Sequence, residues 1–130
     1  AERRAVEAGV AGSGRVRFAV ADATRLDGYD DAFDTVIDSG MYHCLDDDGK
    51  RSYAAAVHRA TRAGATLLLG AFSDANLAQP DWQAPAVSED TLRTTLGDAG
   101  WDITSFTSET IELPHTGMPA TFWLLEAQRR

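Results

Sequence analysis

The sequence holds one cysteine, Cys44, in 130 residues. That excludes an internal disulfide framework and a cysteine-rich zinc site, and it fits a reducing compartment. It also lacks a basic block. With 12 Lys and Arg against 20 Asp and Glu, the net charge is −8, so neither nucleic acid phosphates nor an anionic membrane is an expected partner. No apolar run approaches the length of a membrane-spanning helix, and the opening AERRAVEAGV lacks the charged-then-apolar layout of a signal peptide. Internal repeats, low-complexity tracts and an interdomain linker are missing too. What these absences leave is a cytoplasmic protein with a single domain over residues 1–130 and a small-molecule partner. Its length suffices to bury roughly two-thirds of the surface that the unfolded chain exposes. The chain begins at Ala1 without an initiator Met, which points to a processed or incomplete start.

Standard catalytic patterns are absent as well. There is no GxSxG elbow, no P-loop and no HExxH, and Gly12-Ser13-Gly14 precedes a predicted strand where a phosphate-cradling loop would precede a helix. It reads as a turn. Asp46, Asp47 and Asp48 are consecutive and so point in different directions, without the spaced ligands and glycine of a calcium loop. They read as the cap and first turn of a helix, and no metal is expected. Cys44 beside His43 does not make a nucleophile and its base, because neighbours on a turn seldom face each other. His115, among Pro114, Gly117 and Pro119, reads as a loop histidine.

The elements that are present follow in a clear order. Ala1 to Ala8 looks like the tail of a helix stopped at Gly9. Arg15 to Ala21 alternates, with Val16, Phe18 and Val20 on one face, as a half-covered or edge strand does. A polar loop, Asp22 to Asp31, leads to a strand over Phe33 to Ile37. A helix is predicted from about Gly49 to Arg62, with Tyr53, Val57 and Ala60 on one face and Gly64 ending it. Ala65 to Gly70 (ATLLLG) is a continuous apolar run, the pattern of a strand covered on both faces. Strand, helix and strand here make a βαβ unit, so the sheet is predicted parallel at this point. Ala71 to Val87 is a loop whose Phe72 and Trp82 either cover core or overhang a crevice. Ser88 caps a second helix closed by Gly100, and Trp101 to Phe106 and Ala120 to Ala127 read as an antiparallel finish.

Phe33 to Leu45, FDTVIDSGMYHCL, carries the densest chemistry. A short β-branched run ends in Asp38, Ser39 and Gly40 and then offers Met41, Tyr42, His43 and Cys44. Buried strands of open α/β sheets deliver polar groups to a ligand crevice in this way, at their carboxyl ends.

The runs VRFAVADATRL, FDTVIDSGMYHCLDDDGKRSYAAAVHRATRAGATLLLGAFSD, APAVSEDTLRTTLGDAGWDITSF and FWLLEAQ together resemble the later two-thirds of a class I S-adenosylmethionine-dependent methyltransferase. The D-S-G-x-x-H spacing, Arg51 with Tyr53, the AFSD and the P-x-V-S before a helix are most similar to bacterial small-molecule methyltransferases related to the thiopurine and halide enzymes. Arg51 and Tyr53 stand one residue closer than the family's pair. Ala63-Gly64-Ala65 replaces the usual proline and paired glycines. The resemblance implies an α/β fold: a partial Rossmann-like methyltransferase sheet with parallel strands and an antiparallel C-terminal hairpin, lacking the first two strands.

It also implies roles. Asp22 and Ala23 would hold the adenine of S-adenosylmethionine, and Asp38, Ser39 and Gly40 would lie beside its methionine part. Tyr42, Phe72 and Trp82 would face the substrate, and His43 would serve as a general base where the acceptor must lose a proton. The family's glycine-rich turn and the acidic residue that grips the ribose have no counterpart here, which leaves binding by this chain alone in question. Three outcomes are expected from the missing strands: a longer chain, direct pairing of the flanking strands, or completion by a second subunit in a homodimer through exposed sheet edges. The alternative to a methyltransferase represented by its C-terminal part is a non-catalytic remnant that acts as a self-association module.

Overall fold

The computed structural model describes Arg3, Arg4, Gly9 and residues 14–130. Of the predicted helical tail Ala1 to Ala8, only Arg3 and Arg4 are described, and both are helical. The rest of it, with Gly12 and Ser13 of the predicted turn, lies outside the described residues.

The strand β1 spans Phe33–Asp38 and β2 spans Thr61–Phe72; they pair in parallel, with Ile37 opposite Leu68 and Asp38 opposite Leu69. The helix α1, Asp47–Ala60, connects them. It starts where Asp46 accepts from the Gly49 amide at 2.7 Å, with Asp47 and Asp48 in the first turn near the positive end of the helix dipole. The triple aspartate is therefore a cap. The helix stops at Ala60, before the predicted Arg62, because the Thr61 hydroxyl turns back onto the Val57 and His58 carbonyls, each at 2.9 Å, while Thr61 itself joins β1 opposite Phe33. Gly64 does not end the helix. It sits in the irregularity between the Phe33 to Thr61 and Thr35 to Thr66 pairings.

The second helix, α2, spans Glu89–Asp98 and begins at Ser88, whose side chain accepts from the Thr91 amide at 3.1 Å. Then come β3 (Trp101–Glu112) and β4 (Pro119–Arg129), both longer than the sequence predicts because they form one extended antiparallel hairpin. His115 lies exposed in its connection. The sheet order is β1-β2-β4-β3, with β4 antiparallel to β2. This is the expected parallel sheet with an antiparallel C-terminal hairpin.

Both helices cover the same face. Tyr53, Ala54 and Val57 of α1 and Leu92 and Leu96 of α2 pack on Leu67, Leu69, Ala71, Leu125 and Ala127. Trp101 closes this core, with its indole N–H donating to the Ala54 carbonyl at 3.2 Å. Each fully buried leucine here contributes about 1.5–3 kcal/mol. The predicted two-sided burial of Ala65 to Gly70 is not what the fold shows. Leu68 faces the opposite side with Ile37 and Leu124, and Ile37 is 73% exposed. No described element covers that side.

Arg15 to Ala21 is not a strand in the structure. These residues are exposed and belong to no ladder. Alternating side chains alone do not make a strand, which exists only through pairing with a neighbour, and none of the described residues lies alongside. The flanking segments therefore do not pair directly: β1 keeps one free edge among the described strands. No helix among the described residues is long and apolar enough to cross a membrane.

Candidate active site at the carboxyl end of the parallel strands

Asp38 ends β1 on the helix-covered side, and its carboxylate is 6% exposed. Oδ1 accepts from the Gly40 and Met41 amides at 2.9 and 2.7 Å; Oδ2 accepts from the Tyr42 amide at 3.1 Å and the Tyr53 hydroxyl at 2.7 Å. Four donors on one buried carboxylate explain how the chain reverses direction here: the side chain caps the 3-10 turn Tyr42–Cys44 from within. The Tyr53 hydroxyl stays protonated, because burial first and then the Asp38 charge push its pKa far above the ordinary range. Asp38 lines both clefts that meet at this turn, and its four accepted bonds also let it position Ser39 and Gly40.

Ser39 is exposed and Gly40 half-buried. Gly40 has φ +137°, a conformation that favours glycine. Two clefts meet at this ridge. One, of about 550 Å³, opens along the free edge of β1 and is lined by Ala23, Leu26, Ser39, Gly40 and Met41. The other, of about 410 Å³, lies on the uncovered sheet face between Ile37, Ser39, Leu68, Gly70 and Leu124. Asp22 stands beside the first cleft, fully exposed, and one of its oxygens accepts from the Thr24 amide at 2.9 Å and the Thr24 hydroxyl at 2.6 Å. The Thr24 hydroxyl chiefly, with its amide, holds the Asp22 carboxyl below the usual carboxylate range. Ala23, Ser39 and Gly40 are thus brought together as the sequence arranged them, with Asp22 at their margin.

Tyr42 requires a correction. It is 0% exposed, with its ring against Tyr53 and its hydroxyl 2.6 Å from Thr95 of α2. With no exposed surface, Tyr42 cannot face a substrate. Its hydroxyl pKa is raised, mainly by burial.

His43 also departs from its predicted role. Its Nδ1 accepts from the Phe72 amide at 3.0 Å. In the neutral ring the proton is then on Nε2, and a base that already carries its proton on the free nitrogen cannot take another there. Burial, more than any charge, lowers the His43 pKa; Asp38 opposes this and Lys50 adds to it.

Phe72 is the centre of an aromatic cluster. His43 stacks on it at 4.8 Å and 17°, Trp82 meets it edge-on at 4.8 Å and 90°, and Phe122 lies 4.7 Å away. Trp82 is half-buried, with its indole N–H donating to the Ala84 carbonyl at 2.8 Å. Phe122 was not singled out from sequence. It reaches the cluster because β4 registers it opposite Phe72. Together with the β3–β4 pairing, which sets Glu109 opposite Phe122, this register builds a third groove, of about 260 Å³, from Ser39, Gly70, Glu109, Ile111, Phe122 and Leu124. Only the period-2 alternation of β3 and β4 could have signalled those residues.

No family model matches the chain. It is 37% identical over 79 residues to the 2-heptyl-1-hydroxyquinolin-4(1H)-one methyltransferase of Mycobacteroides abscessus, a match covering 60% of this chain and 34% of that protein. A solved structure described by the conversion of a disulfide bond into a thioacetal group during echinomycin biosynthesis is 33% identical, with a TM-score of 0.77, over 98% of this chain and 60% of that one. The 1,6-didemethyltoxoflavin-N1-methyltransferase of Burkholderia thailandensis, solved with bound 1,6-didemethyltoxoflavin and S-adenosylhomocysteine, is 21% identical with a TM-score of 0.69, over 98% of this chain and 55% of that one. The chain thus spans 60% or less of the length of each of these three.

Proposed function

We propose that this chain, which is similar in sequence to a methyltransferase and in fold to S-adenosylmethionine-dependent methyltransferases, takes part in methyl transfer from S-adenosylmethionine to a small-molecule acceptor. The observation that carries this reading is the Ser39–Gly40 ridge, where a cleft beside Ala23 meets the uncovered face beside Gly70. A donor and an acceptor can approach each other across it. The first cleft has the size of a small-molecule site, and its small residues leave backbone accessible to a ligand.

S-adenosylmethionine supplies an electrophilic methyl group on a sulfonium. In this reading Ala23 offers its amide and Asp22 a carboxylate oxygen to the adenine. Ser39 and Gly40 lie against the methionine part, held in place by the Asp38 carboxylate. Phe72, Trp82 and Phe122 shield the acceptor from water, and the work of the site is positioning and desolvation. The acceptor is a flat, largely apolar heterocycle, by analogy with the hydroxyquinolinone in the name of the Mycobacteroides relative and with the apolar wall of Ile111, Phe122 and Leu124.

The test is a radiolabelled methyl-transfer assay of the protein with 2-heptyl-1-hydroxyquinolin-4(1H)-one and simpler hydroxyquinolines. Formation of labelled product and S-adenosylhomocysteine is the expected result; no transfer to any of them, with the donor bound, counts against the acceptor class. A second reading, self-association by a second copy at β1, draws on its free edge and on the exposure of Ile37 on the uncovered face beside it. Sedimentation distinguishes it, since a monomer at all concentrations removes it.

A further inference from the structure

The orientation of His43 is fixed from two directions. The Phe72 amide holds Nδ1, and the Phe72 ring lies parallel to the imidazole. Nε2 points to the Gly40 side, where a Cβ on that glycine would stand 3.9 Å away. Although His43 is only 7% exposed, Nε2 has no hydrogen-bond partner among the described residues, and none of their buried side-chain nitrogens or oxygens lacks one. Nε2 is therefore the accessible corner of a buried ring. A proton taken up by this ring would have to go to Nδ1 and break the bond from Phe72.

Among the described residues, the two charged groups that act on the ring are already engaged. Asp38 is saturated by its four donors. Lys50, the other charge that acts on the ring, is buried and donates to the Leu45 carbonyl at 2.6 Å. Glu109 shares a groove with Ser39 and Gly70, but it stands on β3, the strand furthest from β1 in the sheet order.

Resting on the methyltransferase reading above, we propose that the acceptor is an acidic hydroxyl compound, a phenol, enol or N-hydroxy heterocycle, which enters as its anion and is held by the Nε2–H of His43. The acceptor oxygen uses a lone pair to form the O–CH3 bond as the carbon–sulfur bond of the methylsulfonium breaks, with that bond's electron pair passing to sulfur. Anion and cation neutralise each other, and no proton leaves the acceptor in the transfer. Ionisation takes place beforehand in water, so the transfer itself calls for no general base. His43 then acts as a donor that orients the anion.

The test uses 4-nitrophenol as probe, added to the protein saturated with S-adenosylhomocysteine. Calorimetry is run in two buffers of different ionisation enthalpy, below the free phenol's own pKa. One proton released to buffer per phenol bound, with phenolate absorbance in the complex, is expected. His43→Gln, whose side-chain N–H reaches the place of Nε2, retains phenolate binding; His43→Asn, which can accept from Phe72 but lacks a donor at that reach, weakens it roughly tenfold. Nitrogen-15 NMR of the unliganded protein should show the proton on Nε2. A proton on Nδ1, retention of the phenol's proton in the complex, unchanged binding by His43→Asn, or no phenol binding by protein that binds S-adenosylhomocysteine would each overturn the proposal. Failure to bind S-adenosylhomocysteine strikes the methyltransferase reading instead.

Discussion

The Phe72 amide donates to Nδ1 of His43 at 3.0 Å, so the last residue of β2 fixes the ring offered by the turn after β1. This bond ties the turn that follows β1 to the end of β2, and it decides which nitrogen of His43 carries a proton. Four consequences of the surrounding geometry are open to measurement.

Asp38→Asn replaces an acceptor-only group by one whose amide hydrogens oppose the donors around it. Losing charge-assisted bonds in a buried turn costs about 2–3 kcal/mol. Urea unfolding should show that loss, together with weaker S-adenosylhomocysteine binding, because Ser39 and Gly40 lose their support. Unchanged stability would mean that the carboxylate is not the cap of this turn.

Tyr42→Phe removes the hydroxyl contact with Thr95 at 2.6 Å. A cost of about 1 kcal/mol in stability is expected. Acceptor KM should not move, since Tyr42 is sealed on the helix side. A large rise in KM with normal stability would restore it to the substrate site.

Gly100→Ala tests the packing at the end of α2. Gly100 has φ +99°, and a Cβ there would stand 2.8 Å from Nε2 of His58. The backbone term alone is about 1–2 kcal/mol, and displacing His58 also disturbs its contact with the Arg130 carbonyl. Thermal unfolding should shift downward. His58→Ala in the same chain should recover part of the loss by making room.

Stability should fall on mild acidification. The pKa values of His43 and His58 are both lowered in the fold, chiefly by burial, with Arg129 a further cause for His58. The unfolded chain therefore binds more protons than the native one, so the stabilisation is full above the ordinary histidine pKa of about 6.5 and declines as pH drops through and below it. Denaturant titrations at pH 7.5 and 5.5 should show the decline, and His43→Gln should make it shallower. A slope of the opposite sign would contradict the buried, neutral state of these rings.

Much of this was legible in the residues. The ATLLLG run, the Ser88 cap and the order of strands placed the parallel pair and the closing hairpin, because periodicity and capping are local. The ridge at Ser39–Gly40 was legible for the same reason. Other features were not, because they depend on distant neighbours. Val16, Phe18 and Val20 alternate as a strand does, yet pairing requires a partner that a pattern cannot supply. The side on which Tyr42 falls is set by Asp38 capping the turn, and the tautomer of His43 by an amide 29 positions away. Phe122 enters through the β2–β4 register and Glu109 through the β3–β4 register.

Whether the cleft of Ala23, Ser39 and Gly40 binds the donor is decided by calorimetric titration of the protein and of its Ala23→Trp variant with S-adenosylhomocysteine. Saturable 1:1 binding is expected, lost in a variant that fills the cleft but unfolds at the same temperature. Absence of binding, or equal binding by both proteins, would contradict it.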